Sequence, residues 1–136
     1  MKAKVALLLA VTAVCVLLCG CSGQGTTHLR VFIPDSETGV SGTVYDGDFS
    51  FSGGTTTVDY MLYTLASKGS FEYVFDGSMP SINGLEMYEN LDELYIRAWT
   101  VTVNGVYDES CMFAKVRDGD NVEVVYEFMD LVPDYD

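Results

Sequence analysis

The side chains able to do chemistry are few and unevenly placed. Cys15, Cys19 and Cys21 cluster near the start, and Cys111 stands alone downstream. A cysteine thiolate is a strong nucleophile and can be alkylated to a thioether. The single imidazole, His28, lies far from Cys111 in sequence, so Cys111, set in the apolar run 111–114, is expected to serve as a small buried hydrophobe. The pairs Asp46/Asp48 and Asp118/Asp120 offer oxygens to a hard cation. Both flank a glycine in turn-forming sequence without EF-hand spacing, so no metal site is expected. Glu86, Glu89, Asp92 and Glu93 could suggest acid–base work, but a solvated acidic face accounts better for them, because nothing in the segment would separate their pKa values. No nucleophile elbow, phosphate-binding loop, H-E-x-x-H or paired-cysteine zinc spacing is present. The expectation is a protein that is not an enzyme, with no catalytic residues.

The remaining candidates are aromatic or lie in turns. Tyr73, Phe75, Tyr95 and Tyr107 could border a groove, although sheet packing also explains them. Trp99 could stack on a planar ligand or fill the core. Asn104 with Gly105 forms a hairpin tip of the kind that often touches what binds beside it. Tyr73, Phe75, Trp99, Asn104 and Tyr107 form the candidate ligand-binding set.

Lys2 and Lys4 precede an apolar run from Val5 to Leu18, the layout of a secretory signal. Roughly 14 residues make about 21 Å of helix, shorter than a bilayer's hydrocarbon core requires. The run ends Leu18, Cys19, Gly20, Cys21, which resembles the lipobox of bacterial lipoproteins. That resemblance implies cleavage after residue 20 and lipidation of Cys21, with two acyl chains giving stable anchoring to the outer side of a cell membrane or envelope. Residues 21–27 are small and polar and are expected to form a flexible tether.

All 20 acidic residues follow Cys21, against five basic ones, which leaves a net charge of −15 beyond the signal. Such a surface repels nucleic-acid phosphates and anionic headgroups. No nucleic-acid partner is expected, and the lipid must supply the membrane contact. With Cys15 and Cys19 removed and Cys21 lipidated, Cys111 has no partner for a disulfide.

The pattern predicts one domain over residues 28–129, with an acidic tail over 130–136. Residues 28–34 and 42–51 alternate as two strands of a hairpin, with a kink at Asp46–Asp48. Val58, Met61, Leu62 and Leu65 share a helix face, and a helix over 57–67 is capped by a threonine in front and by Lys68 and Gly69 behind. Strands follow at 70–75, 95–103, 106–107, 112–116 and 121–128, the last placing Val122, Val124, Tyr126 and Phe128 inward. Residues 85–94 read as a helical turn, with Leu91 and Leu94 inward, or as a loop. The class is α+β, with one main helix packed on one face of a mixed, β-grasp-like sheet.

Across residues 29 to 128 the order of landmarks resembles the transcobalamin C-terminal-like domain. The landmarks are the Thr-rich helix start with Val58, Leu62 and Leu65, the segment Ser81, Ile82, Asn83, Gly84, the strand and turn Trp99 to Gly105, and the ending Val116 to Val122. The resemblance implies a β-grasp module that binds cobalamin or a related corrinoid through loop backbone and apolar contacts. The sequence departs from that family in a short segment at 76–81 and in lacking the helical partner domain. A surface module that binds a protein or glycan is therefore the alternative.

Overall fold

The computed structural model describes residues 23–34 and 41–132. Residues 1–22, which hold the expected signal segment and Cys21, residues 35–40 and the last four residues lie outside the described residues. Among the described residues no helix is long and apolar enough to cross a membrane.

Strands β1 (Gln24–Ile33) and β2 (Gly42–Ser52) form the expected antiparallel hairpin. The register shift falls between Val31 and Phe32, not at the expected Asp46–Asp48 kink, where pairing is continuous. Strand β3 (Thr55–Thr57) leads into helix α1 (Val58–Ser67). Thr57 caps it, its hydroxyl accepting from the Tyr60 N–H at 3.2 Å, a contact worth about 1 kcal/mol. The helix ends as Gly69, at φ 86°, and Ser70 donate to the Ala66 and Leu65 carbonyls. Val58, Met61, Leu62 and Leu65 are buried, each contributing about 1.5–3 kcal/mol by leaving water.

After the helix come a short hairpin, β4 (Tyr73–Phe75) and β5 (Pro80–Ile82), and then β6 (Tyr88–Asn90). The 85–94 segment is thus part strand and part turn, and Leu91 and Leu94 face solvent. Strand β7 (Tyr95–Val103) turns through Asn104 (φ 53°) and Gly105 (φ 79°) into β8 (Val106–Tyr107), as the Asn-Gly pair predicts. Residues 112–116 are not one strand. Cys111–Phe113 is a 3-10 turn, and β9 (Lys115–Arg117) pairs with β3. The final strand, β10 (Asn121–Asp130), buries Val122, Val124 and Tyr126, whereas Phe128 is exposed.

The main sheet runs β2-β1-β10-β7-β6, with β8 also on β7. Strands β1 and β10 are parallel and the other pairings antiparallel, so the sheet is mixed. Leu29, Val31, Val122, Val124, Trp99 and Val101 pack in one core with the buried face of α1. The fold is therefore α+β, a mixed sheet with one α-helix among the described residues.

The tether boundary needs correction. Residues 24–27 belong to β1, with Gly25 and Thr27 buried. Thr26 N–H donates to Asp118 Oδ1 at 2.9 Å, Gly119 N–H donates to Thr26 O at 2.9 Å, and the Thr27 hydroxyl donates to Asp120 O. Small polar residues hid this strand because its buried positions hold a glycine and a threonine rather than large hydrophobes. At the other end, Met129 and Asp130 pair with Ile96 and Tyr95, so the strand continues into the expected tail.

Gly25 offers a direct check. A Cβ there would stand 2.4 Å from Phe51 Cζ on the paired strand, so Phe51 must move to admit it. Gly25→Ala should lower stability by about 1–3 kcal/mol in urea denaturation. An unchanged midpoint would return this residue to a free tether.

Candidate functional site

The five candidate ligand residues do not converge. Trp99 is 4% exposed. Its Nε1–H donates to the Leu85 carbonyl at 2.9 Å, and its ring lies 5.1 Å from that of Tyr126. It is a core residue in this conformation. Tyr73 donates its hydroxyl to Asp59 Oδ1 at 2.6 Å, tying the β4–β5 hairpin to the first turn of α1. Burial, reinforced by that carboxylate, raises its pKa well above the ordinary phenol range. Phe75 packs on Phe113 with ring centroids 5.4 Å apart. Asn104 is engaged in turn structure, its amide donating to Asp120 Oδ1 at 2.9 Å and its oxygen accepting from Asn121 N–H at 2.8 Å. Tyr107, on β8, is 60% exposed.

The acidic pairs also have local roles. Asp118 accepts from Thr26, and Asp120 accepts from Asn104 and from Arg117 N–H. On the β1–β2 ribbon His28 reaches Asp46 Oδ1 through Nε2 at 2.7 Å and Asp48 Oδ1 through Nδ1 at 3.0 Å. Among the described residues no group of three or more His, Cys, Asp or Glu is placed to hold a metal. Cys111 is half-buried, with its Sγ 3.5 Å from the Trp99 carbonyl. Burial pushes its thiol pKa up, and Asp108 adds to that, while the Met112 N–H pulls the other way. This environment disfavours the thiolate a nucleophile needs.

Two concave surfaces lie elsewhere. The first is an aromatic cleft of about 470 Å³ beyond the end of the core. In register across three strands stand Phe128, Arg97 and Tyr88, and cross-strand partners share a face. Tyr95 joins them from two residues along β7. Its ring centroid is 4.8 Å from that of Phe128 and 6.1 Å from that of Tyr88, with the Arg97 guanidinium carbon 5.4 Å away. The cleft is closed on its inner side by Tyr126, whose hydroxyl donates to Glu86 O at 2.8 Å. Burial raises the Tyr126 pKa, and the Arg97 charge opposes that rise. Leu85 and Glu86 form the rim and hold the polar tips of Trp99 and Tyr126 with their carbonyls. Tyr95 is the one residue here that the sequence offers as part of an aromatic groove. The others were hidden because the row depends on β6, which the acidic 85–94 segment did not reveal.

The second surface is an open groove of about 840 Å³ between β2 and α1. Asp48 through Ser52 line one wall, and Tyr60, Thr64 and Lys68 line the other. On the helix side these three residues repeat every fourth position and so share one face. No protein-family model matches the sequence, and no curated protein matches it.

The His28 contacts predict a pH response. The Asp48 hydrogen bond, with the Asp46 charge and hydrogen bond, raises the imidazole pKa above 6.5 despite some desolvation. The stabilisation is fully present below 6.5 and is lost as pH rises through the higher folded value. NMR titration should place the His28 midpoint above 6.5, and Asp48→Asn should lower it. For Cys111, iodoacetamide should label the native chain at mildly alkaline pH far more slowly than the urea-unfolded chain. Equal rates would identify an exposed, reactive thiol.

Proposed function

We propose that this chain is an extracytoplasmic lipoprotein, anchored through Cys21, that binds a small planar ligand such as a corrinoid on the aromatic cleft. The observation carrying this reading is that Tyr88, Tyr95 and Arg97 line the cleft together, with Phe128 packed on Tyr95 beside it, on the sheet face that elsewhere packs the core. Aromatic faces with a few polar groups are the usual lining of small-molecule sites. The cleft is open and small beside a corrinoid, so it would grip one side of such a ligand, in keeping with the one-sided role implied by the transcobalamin-like resemblance.

The β-grasp assignment belongs to the same proposal. It is supported by the strand order, in which the first and last main strands run parallel at the centre while one helix crosses the face between β2 and β7. Binding without catalysis is supported by the unfavourable thiolate environment of Cys111 and by His28 being engaged with two carboxylates on another surface. The net charge supports a domain held by its lipid and repelled from anionic headgroups and nucleic acid.

The second reading, a surface interaction module, draws support from the open β2–α1 groove, whose shape suits a macromolecule better than an enclosed ligand.

Trp99 is the only tryptophan and packs, tilted, against Tyr126 on the inner wall of the cleft, so its emission reports on occupancy. Cobalamin and cobinamide titrated into the full chain in detergent micelles should give a saturable emission change in the micromolar range. Replacing Tyr88 and Tyr95, which both line the cleft, together by alanine should weaken binding by about tenfold or more, or about 1.4 kcal/mol. No change at high micromolar ligand, or an identical response from the double variant, would overturn the corrinoid reading.

A further inference from the structure

The β2–α1 groove has a property that ordinary ligand pockets lack. Successive residues of a strand project to opposite faces of the sheet. A groove bounded by five residues in succession, Asp48 to Ser52, therefore runs along the strand's edge rather than over one face. Among the described residues β2 is the outermost strand on its side of the sheet and pairs only with β1. Alternate backbone N–H and C=O groups along its outer side form a template for another strand.

The two sides of that edge differ chemically. Toward the helix, Phe49 and Phe51 are buried while Tyr60 stands exposed across the groove. On the other side Asp46 and Asp48 are exposed, their side chains 50% and 74% accessible, with His28 between them. A second copy of this chain would set these carboxylates against their own kind within a pair of molecules of net charge −13 each, and like charges in cross-strand positions destabilise pairing. The complementary strand has cationic side chains on one side and apolar ones on the other.

The geometry points to β2 as the docking edge for an extended peptide segment of a protein partner, added to the sheet as a further strand. Its apolar residues alternate with lysine or arginine. The apolar side chains enter the groove against Tyr60 and Leu65, the basic ones lie beside Asp46 and Asp48, and backbone hydrogen bonds to β2 fix the register. This surface is separate from the aromatic cleft, so the inference stands whether or not a corrinoid binds there.

The test uses synthetic peptides of about seven residues, enough to run past the groove-lining part of β2 at roughly 3.4 Å per residue. One alternates lysine and valine, a second has the same composition in two blocks, and a third is the alternating peptide N-methylated at alternate backbone positions. Against the full chain in detergent micelles, the alternating peptide should bind at least ~10-fold tighter than both controls. Amide chemical shifts should move at 48–52 and at Tyr60 and Thr64. Asp46→Asn with Asp48→Asn should abolish the preference for lysine over serine at the basic positions. The inference is overturned if none of the peptides binds or if all three bind alike, which would be bulk attraction to an acidic surface. Shifts confined to Tyr88 and Tyr95, or a peptide-free dimer paired through β2, would overturn it as well.

Discussion

The parallel pairing of β1 with β10 is the constraint on which the rest of the structure depends. It joins His28 to Asn121 and Phe32 to Val125, so the first and last strands of the described chain lie side by side at the centre of the sheet. A parallel pair cannot be closed by a tight turn and needs a long crossover. Here the crossover is nearly the whole domain, including β2, α1, the β4–β5 hairpin and β7. Closing so long a loop carries an entropic cost, which the buried Leu29, Val31, Val122 and Val124 offset as they meet the helix. The pairing is fixed at one end by the Asp118–Asp120 turn, which bonds Thr26, Thr27 and His28 through backbone and carboxylate alike.

This arrangement also decides where binding surfaces can exist. One helix of ten residues covers only part of the helix-side face. Past Trp99 and Tyr126 the same rows of β7 and β10 continue with less cover, and there the side chains become the half-buried Arg97 and Tyr95 and the exposed Phe128. The aromatic cleft is thus the overhang of the core. The β2–α1 groove arises at the opposite side of the sheet, between the helix and the edge strand β2. Both surfaces follow from a sheet wider than the helix packed on it.

Much of the fold was legible in the sequence because local signals agreed with the final packing. Val58, Met61, Leu62 and Leu65 keep helical spacing inside good caps, and the alternation from Tyr95 to Val103 ends in the Asn-Gly pair that its turn requires. Legibility failed where partners distant in sequence set the conformation. Gly25 and Thr27 are strand residues because Phe51 and the Asp120 turn lie against them, and nothing nearby in sequence says so. Met112 and Phe113 belong to a 3-10 turn that begins at Cys111 with φ 50°, where the sequence suggested a strand over 112–116. The candidate site suffered more, since a cross-strand row such as Phe128, Arg97 and Tyr88 exists only once the register of three strands is known. Trp99 was ambiguous because a tryptophan on a strand suits either face until its indole N–H finds a buried carbonyl.

The acidic composition then acquires a structural meaning beyond solubility. A long exposed edge such as β2 invites pairing with copies of itself, and natural sheets counter this with charged residues. Asp46 and Asp48 occupy that position, and their proximity to His28 keeps both carboxylates aligned along the ribbon. At the other end of the sheet β6 is protected differently, being only three residues long and followed at once by a turn. The longer edge is therefore guarded by charge rather than by shortness. Charge repels identical copies but attracts an oppositely charged strand, whereas a shortened edge refuses every partner alike. That difference makes β2 the edge able to discriminate between partners.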